Sequence, residues 1–154
     1  MLRSGLDWPV KYYIGRKDGN MVGYAGEVVT PEGFSGDITV MVGLELDGSV
    51  RTVMVTANSE TPGLGTVVTD RKVQKTIVDV VKGTEEQAGL PPNRFLDWYA
   101  GKTAGDKRWN IIKEGETVNG KTGATITSAA VCGAVHAVSK TAVENLNALS
   151  KGAE

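Results

Sequence analysis

Asp37-Ile38-Thr39-Val40-Met41-Val42-Gly43-Leu44-Glu45-Leu46, then Asp47-Gly48-Ser49, then Val50-Arg51-Thr52-Val53-Met54-Val55-Thr56-Ala57: two β-rich runs flank a short turn signal. Such a connection joins antiparallel neighbours, so the stretch predicts a β-hairpin. Upstream the pattern repeats. Val10 to Arg16 leads into Lys17-Asp18-Gly19-Asn20, a strong turn signal, and Met21 to Val29 follows. Thr30-Pro31-Glu32-Gly33 punctuates before the next strand. The first sixty residues therefore predict an antiparallel sheet of hairpins.

Downstream the period changes. Asp70 can cap a helix over Arg71 to Lys82, where Val73, Ile77, Val80 and Val81 recur at helical spacing, and Gly83 can end it. Gly89-Leu90-Pro91-Pro92 reads as a loop, Phe95 to Ala100 as a short helix closed by Gly101, and Arg108 to Lys113 as a strand. Glu114 to Gly123 reads as a loop or hairpin. From about Ile126, the residues Val131, Val135, Val138, Ala142, Leu146 and Leu149 fall on one stripe, which predicts an amphipathic C-terminal helix of about 20 residues or more. Strands first and a packing helix last indicate an α+β fold. The 154 residues are read as one domain, 1–154, with an ordered core over about 10–149.

Composition narrows the chemistry. The formal net charge is −1, and neither half of the chain carries an excess of basic residues, so electrostatics gives nucleic-acid binding no support. One Cys, Cys132, forms no intrachain disulfide. With one His, His136, a multi-His or Cys-rich metal site is excluded, and no Ser-His-Asp arrangement can be assembled. No window approaches a membrane span in which 18 or more residues are all apolar. Glycine, at 20 residues, is nearly twice its average share of about 7%, the mark of many turns and close backbone approaches.

Two segments are rich in glycine and hydroxyls without being needed for packing. Ser59-Glu60-Thr61-Pro62-Gly63-Leu64-Gly65 follows the second hairpin arm. Its Gly-Leu-Gly turn exposes backbone donors and one apolar side chain, which suits a flat ring; a tight β-to-α connection with Glu60 in solvent is the plainer reading. Lys121-Thr122-Gly123-Ala124-Thr125-Ile126-Thr127-Ser128 stands directly before the long helix. A helix N-terminus has amides without internal acceptors and a positive dipole end, where a phosphate is stabilised. Gly123 and Ala124 leave room, Thr125 offers a hydroxyl, and Thr127 and Ser128 can add hydrogen bonds. An ordinary Ser/Thr cap explains the same residues.

Taken together, Glu60-Thr61-Pro62-Gly63-Leu64-Gly65 and the later Thr122-Gly123-Ala124-Thr125-Ile126-Thr127-Ser128 resemble the FMN-binding domain of the RnfG and NqrC family, the flavin subunits of ion-pumping redox complexes. The resemblance spans residues 20–149 and is closer to the RnfG branch. Gly33-Phe34-Ser35-Gly36 matches the family's Gly-aromatic segment. It implies that Thr125 carries FMN through a phosphoester installed by a flavin transferase from FAD with Mg²⁺. Glu60, Thr61, Pro62, Gly63, Leu64, Gly65, Phe34, Thr122, Gly123, Ala124, Thr127 and Ser128 would surround the cofactor. It further implies an electron relay among the subunits of an Rnf-type membrane complex, on the periplasmic, extracytoplasmic face of the membrane. These residues lack the family's N-terminal membrane helix. The chain has Asn119 where the family has Asp six residues before the acceptor, and Asn58 where a His precedes Glu-Thr-Pro.

Trp98 and Trp109 are further candidates to stack on a ring. Cys132 and His136 fall on the same side of the long helix as Thr125 and read as packing residues. Two other functions remain open at this level: a stand-alone extracytoplasmic flavin carrier or reductase module, and a non-redox module that binds a phosphate-bearing ligand.

Overall fold

The computed structural model describes residues 2–3, 8–71, 90–106, 109 and 122–151. Five strands form an antiparallel meander in the order of the chain: β1 (Leu2–Arg3), β2 (Pro9–Lys17), β3 (Asn20–Thr30), β4 (Ile38–Leu44) and β5 (Val50–Ala57). Four described helices follow: α1 (Thr66–Thr69), α2 (Arg94–Asp97), α3 (Thr122–Glu144) and α4 (Leu146–Lys151). The architecture is the expected α+β. The helix expected over Arg71 to Lys82 and the strand over Arg108 to Lys113 lie outside the described residues, apart from Arg71 and Trp109, as do Asn119 and Lys121.

Local chemistry accounts for the meander. β2 and β3 are joined at Asp18-Gly19, both at positive φ (52° and 79°), the pair of values a type I′ hairpin turn requires. In β4 the residues Ile38, Val40, Val42 and Leu44 are all buried, and the intervening ones are less so. That period of two gives the sheet one inward face, continued by Val10, Tyr24, Val28, Val50 and Val53.

Helix α3 lies across this face, against β3 and β4. The expected stripe holds: Val131, Val135, Val138, Ala142 and Leu149 are buried, and Leu146 packs against them. At Gly26 the helix comes so close that a Cβ would run into Val138 Cγ1 and sit 3.0 Å from Tyr12 Cε1. The Tyr12 hydroxyl donates to the Val138 carbonyl at 2.6 Å, and Ser139 Oγ donates to Gly48 O at 3.0 Å in the β4–β5 turn. Sheet and helix are thus pinned at both ends of their contact.

Three differences from the sequence reading stand out. The segment from Thr122 to Ser128 is inside α3, which begins at Thr122, and does not precede it. Gly123 reads as the end of a loop, yet a glycine in the first turn costs only its propensity, about 1 kcal/mol, against the burial of a 23-residue helix. Secondly, α3 is not covered along one stripe alone. Ala130, Cys132, Ala134 and Ala137 are buried as well, because Tyr99, Trp109 and His136 cover a second side. This explains why Thr125–Glu144 is long and apolar enough to cross a membrane by composition, with a mean hydropathy of 1.2: 67% of that window is buried within the protein. Thirdly, the helix breaks at Asn145, whose Nδ2 donates to Thr141 O at 2.8 Å while its own carbonyl accepts the amides that open α4.

One asparagine ties the small helices together. Asn93 Oδ1 accepts from the amides of Phe95 (2.9 Å) and Leu96 (3.2 Å), the N-cap of α2. Its Nδ2 donates to Asp70 O at 2.8 Å and Val67 O at 3.2 Å, the carbonyls that end α1. Arg71 braces the same corner, giving hydrogen bonds to Val53 O and Pro91 O and an ion pair to Asp97 at 2.8 Å. Asn93→Ala removes a cap and leaves carbonyls unpaired, so chemical denaturation should show a loss of about 2–3 kcal/mol. Asn93→Asp keeps the cap alone and should recover only part of that loss.

Burial also sets an alkaline limit. The Cys132 thiol, which donates to Trp109 O at 3.3 Å, is pushed up in pKa by burial, as are the Tyr99 and Tyr12 hydroxyls. For each group the folded state holds the proton more tightly than the unfolded chain. Their contribution is complete below the unfolded values, 9.0 for Cys and 10.0 for Tyr, and is lost as pH rises through the higher folded values. Thermal melts should therefore be flat with respect to these groups up to about pH 9 and fall above it. Tyr12→Phe should show a shallower fall than the parent.

Candidate functional site

Glu60 is the residue on which the site is built. From sequence it is solvated or beside a ligand; it is 5% exposed. Its Oε2 accepts the Thr127 hydroxyl of α3 at 2.5 Å, and its Oε1 accepts the Ser35 amide at 3.1 Å. One carboxylate therefore joins three segments distant in the chain: the Gly33–Gly36 loop, the Glu60–Gly65 loop and the first turns of α3. Ser35 Oγ and Thr61 Oγ1, 3.5 Å apart, add a second link between the two loops.

Burying a carboxylate is costly unless its oxygens are satisfied. Among the described residues no Lys or Arg pairs with Glu60, so neutral donors satisfy it. The glycines around it follow from its size. A Cβ at Gly65 would overlap the Glu60 side chain, and one at Gly33 would meet Oε1 at 2.8 Å. Gly65 thus makes room for Glu60, where the sequence suggests room for a ring. Gly63 differs: it is exposed, has φ +76° and faces open space. Its amide donates to Thr66 Oγ1 at 2.9 Å, which fixes the turn into α1. Asn58, which stands at the family's His position, accepts the Glu60 amide on Oδ1 at 3.0 Å and so shapes the start of the loop.

The other candidates fall into two groups. Thr125 is exposed on the second turn of α3, and its neighbour Ile126 is 39% exposed. Phe34, at 49%, also faces solvent, Leu64 is half-buried, and Thr61 and Pro62 are exposed. Thr127 and Ser128, expected around a phosphate, are instead buried. Thr127 gives its hydroxyl to Glu60, and the Ser128 Oγ has no hydrogen-bond partner. Thr122, Gly123 and Ala124 form the first turn of α3, the turn whose amides have no intrahelical acceptor. Because helical side chains lean toward the N-terminus, the Thr125 hydroxyl leans toward those amides. Trp98 makes an edge contact with Tyr99 at 5.2 Å, and Trp109 stacks on Tyr99 and His136. These aromatic rings are engaged with one another.

Sequence reasoning misses Ser35, whose contribution is a backbone amide and so has no side-chain signature. It misses Asn93 and Arg71 as well. An Asn one residue before a short helical pattern is the available signal for Asn93.

The FMN-binding domain family matches residues 33–140, from the glycine before Phe34 to the middle of α3. The chain belongs to that family. The cofactor this FMN-binding domain takes is therefore FMN, and the residues present fit it. An exposed hydroxyl stands beside helix amides that lack intrahelical acceptors, exposed apolar side chains flank it, and the buried Ser128 Oγ lacks a partner. Among its relatives are proteins named as the RnfG-type component of an ion-translocating oxidoreductase complex. That of Photorhabdus laumondii is 34% identical over 142 residues, covering 90% of this chain and 57% of the relative. That of Haemophilus influenzae is 36% identical over 121 residues, covering 79% and 50%. That of Aliivibrio fischeri is 34% identical over 126 residues, covering 80% and 50%. The chain thus spans about half the length of the curated relatives it matches.

Proposed function

We propose that this FMN-binding domain is an electron-transfer flavoprotein domain that carries FMN covalently on Thr125. It would act as a redox relay within an Rnf-type ion-translocating membrane complex, on the extracytoplasmic face. The observation that carries this reading is the Glu60 junction, which draws both loops of the family signature to the helix that displays Thr125. The names and sequence similarity of the relatives support the same assignment.

In attachment, Thr125 Oγ1 forms the phosphoester and loses its proton to a base of a flavin transferase. The phosphoanhydride of FAD breaks, and AMP leaves. The ester retains one negative charge, which the amides of the first turn of α3 stabilise together with the helix dipole. Phe34, Leu64 and Ile126 offer apolar surface to the ring, and Gly63 lets it approach the backbone. When bound, FMN supplies one- and two-electron transfer; the protein holds it and tunes it. Covalent attachment suits an exposed site outside the cytoplasm, where a weakly held flavin is lost by dilution.

The test is co-expression with a flavin transferase and FAD, followed by intact mass and visible absorption. A gain of one FMN with a flavin spectrum is expected. An unmodified chain, beside a relative that loads in the same cells, would overturn the proposal. Leu64→Ala should load normally and change the fluorescence yield of the bound ring; an unchanged yield would reduce the Glu60–Gly65 loop to a connector.

A further inference from the structure

We propose that Glu60 is the positioning residue of the flavin site, and that its buried negative charge holds the potential of the attached flavin low. The inference rests on the flavin reading above and adds a role for a residue that makes no contact with a reacting atom.

The positioning role follows from connectivity. The Phe34 loop is fixed toward α3 by the Ser35 amide on Oε1, and α3 is fixed by the Thr127 hydroxyl on Oε2. Thr127 lies only two residues beyond Thr125, and Ser35 adjoins Phe34. A shift of the carboxylate therefore moves the attachment point and the aromatic side chain relative to each other. Gly33 and Gly65, which have no room for a Cβ beside this carboxylate, show that the backbone is built around it.

The electrostatic role follows from burial. A carboxylate that is 5% exposed, held by two neutral donors and by no described cation, keeps an incompletely compensated charge. In a low-dielectric setting such a charge acts over longer distances than it would in water. Reduction adds an electron to the flavin, and a fixed anion in the same site opposes that. The potential is therefore lower than it would be beside a neutral residue.

Glu60→Gln separates the two roles. Its amide oxygen can accept from Ser35 N–H and its NH₂ can donate to Thr127 Oγ1, so the geometry survives without the charge. The loaded variant should keep the visible circular dichroism of the parent and the hydrogen-exchange protection of the Ser35 amide, and its midpoint potential should shift to more positive values. Glu60→Ala should lose the Ser35 protection in the bare protein, and its loaded form should show the weak visible dichroism of free FMN. If Glu60→Ala does not fold, Thr127→Val replaces it: one tether is cut and the charge stays, so the dichroism should weaken with no positive shift of potential. A Glu60→Gln protein with an unchanged potential, or one that loads poorly while Ser35 stays protected, would overturn the proposal. So would Ser35 protection that survives in Glu60→Ala. Failure of the parent to load is a different result and bears on the flavin reading, because the Ser35 measurement needs no flavin.

Discussion

Thr125→Ala should emerge from co-expression with a flavin transferase at its unmodified mass and without visible absorption, whereas Thr125→Ser should still load. The alanine variant has no atom on which the phosphoester can form. The loss should be complete, and it should not be a folding effect. Thr125 is the fourth residue of α3 and is exposed, so it is not the cap that the sequence suggests. Alanine has better helix propensity than threonine, and stability should stay within about 0.5 kcal/mol of the parent. A thermal melt beside the mass spectrum checks both halves. Flavin retained on Thr125→Ala would move the attachment to another hydroxyl, with Thr122 ahead of the buried Thr127.

The second large effect belongs to Gly26. Here the close approach of α3 to the sheet leaves no space for a methyl group between Val138 and the Tyr12 ring. Gly26→Ala should force the helix outward, strain the Tyr12–Val138 hydrogen bond and cost about 1–3 kcal/mol. For a chain of this size each kcal/mol lowers the melting temperature by about 2–4 °C, so a fall of several degrees is expected. Gly26→Val should be worse and can prevent folding. Gly63→Ala, at an exposed turn with open space around it, should cost far less than Gly26→Val, through its positive φ alone.

The strands are readable because their information is local. Asp18-Gly19 and Asp47-Gly48-Ser49 specify turns, and the runs between them carry the period that a half-buried strand needs. Val50–Ala57 begins and ends where the sequence places it. The long helix is readable from its stripe, but its start is not. Whether Gly123 breaks a helix or opens one depends on what the following turns bury, and that is tertiary information. The second covered side of α3 escapes for the same reason: Ala130, Ala134 and Ala137 are compatible with water or with a neighbour. Of the site, the segments are legible as motifs and their meeting is not. Glu60 sits 67 residues from Thr127 and 25 from Ser35, and no periodicity records such contacts.

The order of elements along the chain also bears on biosynthesis. The sheet precedes α3, so as synthesis proceeds its apolar face is finished first and stays uncovered until the helix emerges. Thr125 sits on that late helix, and Thr127 reaches Glu60 only when the helix docks. A modifying enzyme that recognises the assembled junction would meet it only on completed molecules. The prosthetic group would then be delivered as a final maturation step, and unloaded chains in a preparation would include those that had not yet closed their core.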